Sequence, residues 1–221
     1  IINDILDFSK IEAGKLHLEL TDFDLRHIVE DVSELFADQA QGSGIELAVL
    51  VYQDVPQHLR GDPTRFRQVL TNLVSNAVKF TRQGEVVIRA QCHHATTTHL
   101  WVRCTVTDTG IGMSPEQQEQ VLNAFTQADV STAREFGGTG LGLTISKRLV
   151  EMMDGELEIE STPGTGSSIS FTVCLEKRDE TSLDTRHNLK GLHALIVDDN
   201  ATNRTIFTPS TRQLGYAKQL R

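Results

Sequence analysis

Cysteine, basic residues and long apolar runs are all scarce in this chain of 221 residues. The three cysteines, Cys92, Cys104 and Cys174, are widely spaced and form no CxxC pair. That spacing indicates no zinc site, and an odd trio does not build a disulfide framework. Lysine and arginine number 21 against 30 aspartates and glutamates, a formal net charge of −9. Such a balance argues against a general nucleic-acid binder, whose affinity rests on clustered cations meeting phosphates. The cleanest apolar stretches, such as residues 47–52, stop far short of the roughly 20 residues that a membrane helix needs. No basic, apolar signal segment opens the chain. An intracellular, soluble protein is expected.

What is present reads as helices interleaved with strands. Ile2, Ile5, Leu6, Phe8 and Ile11 recur at helical spacing until Gly14. This stripe begins at Ile1 without a Met and needs a second helix to cover it, so it reads as part of a larger bundle. Leu16, Leu18 and Leu20 alternate like a half-buried strand. Asp24 then caps a helix with Leu25, Ile28, Val29, Val32, Leu35 and Phe36 on one face. Residues 45–52 form a strand. Asp62 and Pro63 start the next helix, with Phe66, Leu70, Leu73, Ala77 and Phe80 on its buried side. Strands over 86–92 and 100–106 follow, joined around Thr96, and a helix over 141–153 ends at Gly155. Leu157 and Ile159, a turn over 163–166, then Ile169, Phe171, Val173 and Leu175 make the clearest hairpin. The predicted fold is α+β, a two-layer α/β sandwich with antiparallel strands and helices on one face. Residues 176–191 are polar and read as a linker. Residues 192–197 read as a buried strand ending in Asp198, Asp199 and Asn200. What remains is too short for an independent domain.

Six of the sixteen glycines fall between Gly110 and Gly142. They form two clusters, Asp108-Thr-Gly110-Ile-Gly112 and Gly137-Gly138-Thr-Gly140-Leu-Gly142. Glycines let the backbone approach a ligand and aim its N–H groups at anions. The second cluster runs into a helix start, where N–H groups and dipole favour phosphate. It is neither a Walker loop, since no Lys-Ser/Thr follows, nor a dinucleotide fingerprint, since Leu143 stands where the last Gly is needed. Two plain glycine loops would look the same.

Asn72, Asn76 and Lys79 lie at i, i+4 and i+7, one stripe of the helix after Pro63. Amide oxygens suit hydrated Mg²⁺ and an ammonium suits phosphate oxygens. Each alone fits a solvated helix face equally well. Asp108 ends an alternating strand just before glycines, where a carboxylate can accept from an amino group such as that of adenine. By itself it also fits an ordinary turn.

In combination these motifs are specific. Asn72-Leu-Val-Ser-Asn76-Ala-Val-Lys79-Phe80, Asp108-x-Gly110-x-Gly112, Phe125, and Gly137-Gly-Thr-Gly140-Leu-Gly142 occur in this order. The series closely resembles the catalytic and ATP-binding domain of sensor histidine kinases, with its N box, first glycine box, F box and second glycine box. The resemblance covers about residues 1–175. Residues 6–15 resemble the end of the family's dimerisation and phosphoacceptor hairpin, and residues 195–200 the start of a response-regulator receiver. A hybrid sensor kinase is implied, with a hairpin piece over 1–15, the catalytic domain over 16–175, a linker over 176–191 and a receiver start over 192–221.

The resemblance implies a Bergerat-type fold and two cofactors, ATP and Mg²⁺. Asn76 would hold Mg²⁺, with Asn72 beside it, Lys79 on phosphate oxygens and Phe80 closing the motif. Asp108 would read the adenine amino group, and Gly110 and Gly112 would let the base lie close. Residues 113–136 would form a mobile ATP lid, anchored by Phe125, with Arg134 a γ-phosphate contact. Gly138, Gly140 and Gly142 would line the phosphates, with Thr139 and Leu141 as structural fillers. Asp198 and Asp199 would be the acidic metal pair of the receiver.

Related ATPases carry a Glu four residues before the metal-binding Asn, where it activates water. Here that position is Asn72, and an amide is no general base, so phosphotransfer is favoured over hydrolysis. None of the eight histidines matches the family's phosphoacceptor motif, so autophosphorylation in cis is not expected. The implied partners are a second copy, through the hairpin, and cognate receiver or phosphotransfer domains, in the cytoplasmic part of an inner-membrane-anchored sensor. Two other readings stay open: a nucleotide-gated interaction module without phosphotransfer, and a serine kinase of the same superfamily.

Overall fold

The structure is a computed structural model that describes residues 2–122, 140–178, 200 and 202. The chain divides into two units, Ile1–Arg178 and Asp179–Arg221. In the second, the Thr202 N–H donates to Asn200 Oδ1 at 2.6 Å, closing an Asx turn. Asp198 and Asp199 lie outside the described residues.

The first unit runs α1 (Ile2–Glu12), β1 (Thr21–Asp24), α2 (Leu25–Gly42), β2 (Ile45–Val51), β3 (His58–Gly61), α3 (Pro63–Phe80), β4 (Gly84–Ala95), β5 (His99–Asp108), α4 (Pro115–Gln120), α5 (Gly142–Met152), β6 (Glu156–Thr162) and β7 (Gly166–Lys177). The sheet order is β1-β3-β7-β5-β4-β2. The β6 strand pairs with the N-terminal half of β7 on the edge that β3 meets further along. All pairings are antiparallel except β2 with β4, which is parallel. The expected two-layer α+β sandwich is therefore built on a mixed sheet.

The helices start where their caps dictate. Asp24 and Asp62 accept from the N–H groups of His27 and Arg65, at 3.3 and 3.0 Å, and Pro63 needs no donor at the first helical position. From Asp62, α3 turns Phe66, Leu70, Leu73 and Ala77 inward against β5 and β4. Phe66 meets Phe171 of β7 edge-on at 5.3 Å between centroids, so helix layer and sheet share one core. Along β5 the alternation is strict, with Leu100, Val102, Cys104 and Val106 buried beneath the helices.

Four expectations change. Residues 16–20 form no strand: the β1–β3 register ends at Thr21 opposite Gly61, and the next residue, Asp62, already caps α3. No strand is left to pair with the leucines, and the Glu19 N–H donates instead to Asp62 Oδ2 at 2.9 Å. Leu35 is 66% exposed, because the buried stripe of α2 runs through Leu25, Ile28, Val29, Val32 and Ala40 and leaves it on the flank. Phe80 is half-buried rather than core. The stripe of α1 is split: Phe8 and Ile11 pack on this unit's own core, whereas Ile5 and Leu6 are exposed. Asp7 fixes that docking, accepting from Arg65 Nη1 at 3.1 Å and Gln68 Nε2 at 2.9 Å.

Candidate functional site

Five segments converge where β5 ends: the last turns of α3, residues 108–112, the start of α5, the β6–β7 turn and residues 113–122. Asp108 is the last residue of β5 and is only 8% exposed. Its Oδ1 accepts from the Gly110 N–H at 2.8 Å and the Ser167 N–H at 3.3 Å. Burial raises its pKa above the ordinary aspartate value, and the hydrogen bonds from Gly110 and Ser167 oppose that rise. Backbone donors thus hold one oxygen of a buried carboxylate.

The glycines are fitted to their surroundings. A Cβ on Gly110 would sit against the Phe80 carbonyl and Asp108 Oδ1. One on Gly112, whose φ is +65°, would strike the Thr162 carbonyl. The loop between them is stitched down, with the Ile111 N–H donating to Phe80 O at 3.3 Å and the Gly164 N–H to Ile111 O at 2.7 Å. Gly112 is therefore required by the hairpin behind it, a role that the sequence had not suggested. At the start of α5, a Cβ on Gly142 would collide with the Asn72 amide. Gly140 is partly exposed beside it and Leu141 is buried in the core.

Asn72, Asn76 and Lys79 follow one another along α3, all half-buried. Asn72 faces α5, donating from Nδ2 to Ser146 Oγ at 2.9 Å. The Lys79 ammonium lies 4.9 Å from the Phe80 ring centroid, and burial lowers its pKa. So the structure gathers Asn72, Lys79, Phe80, Asp108, Gly110, Gly112, Gly140, Leu141 and Gly142 around one end of the sheet, with Asn76 on the same helix. Phe125, Arg134, Gly138 and Thr139 lie outside the described residues.

Three serines were not singled out from the sequence. Ser146 anchors Asn72, Ser167 supports Asp108, and Ser161 Oγ accepts from the Met113 N–H at 2.8 Å. Ser167 was findable, since it continues the inward period of Ile169 and Phe171 back to the Gly166 turn. The helix α4 was also legible: Ser114 and Gln117 form a reciprocal capping box, the S-x-x-Q signature.

Residues 61–177 match the family described as histidine kinase-, DNA gyrase B-, and HSP90-like ATPase, and the chain belongs to that family. Proteins similar to it within that family include sensor kinases. The chain is 49% identical over 199 residues to the sensor protein GacS of Pseudomonas syringae pv. syringae, matching 90% of this chain and 22% of that one. It is 43% identical over 176 residues to the signal transduction histidine-protein kinase BarA of Escherichia coli (strain K12), matching 80% of this chain and 19% of BarA. Full-length ShkA in complex with AMPPNP has the same fold, with a TM-score of 0.80 at 30% identity over 97% of this chain and 43% of ShkA. The catalytic domain of histidine kinase ThkA follows at 0.58 and 26% identity, over 70% of this chain and 95% of that domain. The chain spans about a fifth of the length of these curated relatives. Among the described residues, no helix is long and apolar enough to cross a membrane.

Proposed function

We propose that this chain is the ATP-binding catalytic part of a hybrid sensor histidine kinase. It passes the γ-phosphate of ATP to a histidine on a dimeric helical hairpin, and thence to the aspartate of a receiver domain. The observation that carries the reading is Asp108, a buried carboxylate held through one oxygen by backbone N–H groups. Adenine presents an exocyclic amino group to such an acceptor, whereas guanine presents a carbonyl oxygen at that position and would be repelled.

The surrounding residues fit the rest of the nucleotide. Gly110 keeps side-chain bulk away from the Asp108 niche, and a Cβ there would fill it. Lys79, already partly desolvated, is suited to neutralise phosphate oxygens. Asn76 is the residue assigned to Mg²⁺, offering a neutral amide oxygen to a cation that keeps most of its waters. When bound, Mg²⁺ would screen the phosphate charge. Gly138, Gly140 and Gly142 are assigned to the phosphates, with Thr139 and Leu141 as fillers, and Phe125 and Arg134 to the lid over residues 113–136.

Asn72 favours transfer over hydrolysis. Its amide has no basicity, and its Nδ2 is committed to Ser146. In this reading residues 1–15 complete the dimerising hairpin, the kinase domain over 16–175 runs two residues further to the end of β7 at Lys177, and the chain up to 191 links it to a receiver beginning over 192–221, where Asp198 and Asp199 bind metal. The parent protein is anchored in the inner membrane with this part in the cytoplasm.

The test is transfer in trans. With γ-labelled ATP and a hairpin polypeptide that carries the phosphoacceptor histidine, the hairpin should acquire acid-labile, base-stable label. Release of inorganic phosphate with an unlabelled hairpin would make the chain an ATPase instead.

A further inference from the structure

Among the described residues the sheet has three edge strands, β1, β6 and β2. Two of them carry the usual protection against pairing with another chain. The β1 strand is four residues long and bears Asp22 and Asp24. On β6, Glu156, Glu158 and Glu160 alternate with Leu157 and Ile159. The β2 strand differs. Its seven residues, Ile45-Glu46-Leu47-Ala48-Val49-Leu50-Val51, hold one charge and no proline, and their register with β4 has no bulge. Among the described residues β2 pairs with β4 alone.

The ladder fixes which backbone groups lie on the far side of β2. The Tyr52 N–H donates to Ala90 O at 2.9 Å, so by alternation Glu46, Ala48 and Leu50 also bond towards β4. Ile45, Leu47, Val49 and Val51 therefore present N–H and C=O outward. Arg26 Nη2 donates to Val51 O at 3.2 Å and closes that end of the edge. The open stretch is Ile45, Leu47 and Val49. On the flank of α2 that carries Arg26, Ser33 and Ala37 follow at i+7 and i+11, so small side chains overlie this stretch.

The stretch is self-complementary. A two-fold axis through Leu47 sets Leu47 opposite its own copy and Ile45 opposite Val49, and all of these present their groups outward. Each N–H and C=O of the three residues then has a partner on the other copy. The side chains agree with this register. Apolar Leu47 meets Leu47 and Ile45 meets Val49, while Glu46 lies opposite the small Ala48 rather than a second acid.

We propose that β2 is a homodimerisation edge, which joins two copies of this chain into one continuous sheet by antiparallel β2–β2 pairing about Leu47. The contact is isologous, so pairing consumes the β2 edge of both copies. Only the short or charged edges remain, and association stops at two copies. The net charge of −9 on each copy opposes the contact, so added salt strengthens it. The contact does not depend on the nucleotide site.

The experiment is sedimentation equilibrium of the whole chain from about 10 μM to about 1 mM, the range of a weak contact. The mass should rise from 24.5 kDa towards twice that value and level there. Leu47→Lys and Leu47→Glu, each shown to be folded by circular dichroism, should stay monomeric, because like charges meet at the axis. An equimolar mixture of the two should regain the dimer, since lysine then faces glutamate; damage to packing alone is not cured by mixing. Hydrogen exchange on the unaltered chain tests the same edge without a substitution. From dilute to concentrated chain the Leu47 and Val49 amides should slow at least about fivefold. The Tyr52 amide, already bonded to Ala90, should not change. A parent that stays monomeric, a dimer that survives Leu47→Lys, a mixture that stays monomeric or growth past two copies overturns the proposal. So does full protection of the Leu47 and Val49 amides in dilute chain, which would mean that another segment of the same chain covers the edge.

Discussion

Asn72 and Ser146, 74 residues apart in the chain, are joined by a 2.9 Å hydrogen bond that ties α3 to α5. Gly142, one turn earlier on α5, leaves the space that the Asn72 amide fills. Asn72 is thereby given a structural duty. Its amide positions the helix start that carries Gly140 and Gly142.

Asn72→Ala is expected to leave the Ser146 hydroxyl, only 2% exposed, without its partner. An orphaned buried polar group costs about 1–3 kcal/mol. Urea denaturation of Asn72→Ala, Ser146→Ala and the double variant should show a loss for each single change and less than their sum for the pair. Strict additivity would mean that the bond contributes nothing.

Asp108→Asn should separate stability from binding. Burial raises the carboxyl pKa above the usual 3.8, so the folded chain holds this proton more tightly than the unfolded chain. The resulting stabilisation is present at low pH and lost as pH rises through the folded-state pKa. At pH 7 the ionised Asp108 therefore weighs on the fold, and Asp108→Asn relieves it. The variant should be more stable than the parent at pH 7, by about 1 kcal/mol, with the gap closing towards pH 4. ATP affinity should fall at least about tenfold, since a hydrogen bond to a charged group contributes about 1.5–3 kcal/mol. A gap in melting temperature that widens on acidification would contradict the first part, and unchanged affinity the second.

Gly112→Ala should destabilise the chain more than Gly164→Ala. Both glycines have positive φ, but only the Cβ at Gly112 meets the backbone, at the Thr162 and Gly166 carbonyls. The left-handed conformation alone costs about 1–2 kcal/mol for an L-residue. Gly112→Ala adds displacement of the β6–β7 turn to that cost. Equal melting temperatures for the two variants would mean that the turn yields freely.

Asp7→Ala should loosen α1 from α3, because Arg65 Nη1 and Gln68 Nε2 both lose their acceptor. A partly exposed ion pair of this kind contributes up to about 1 kcal/mol. Limited proteolysis should therefore cut residues 2–14 faster in the variant, while residues 63–80 keep their protection. An unchanged cutting rate would assign the docking to Phe8 and Ile11 alone.

Local features were readable from the sequence. The caps at Asp24 and Asp62, the alternation of β5 and β7, and the apolar stripe of α3 all depend on neighbours within a few residues. What was misread depends on distant partners. Leu16, Leu18 and Leu20 alternate correctly, but their pairing strand has already become the Asp62 cap. The β3 strand, only four residues long, is too short to carry a period. The candidate site divides in the same way. Asp108 and the glycines stood out by motif, whereas Ser146, Ser161 and Ser167 acquire meaning only from helix packing and strand register. Gly112 was expected to admit a ligand, and its missing side chain also makes room for the Thr162 carbonyl, a partner 50 residues away.

The central claim, that Asp108 and α3 form an adenine-nucleotide site, is tested most directly by calorimetric titration of the purified chain with ATP and with GTP. Each titration is run with and without Mg²⁺. Saturable binding of ATP that strengthens with Mg²⁺, together with no measurable heat for GTP, is the predicted result. Equal binding of the two nucleotides, or none of ATP by a chain that circular dichroism shows to be folded, would contradict the account.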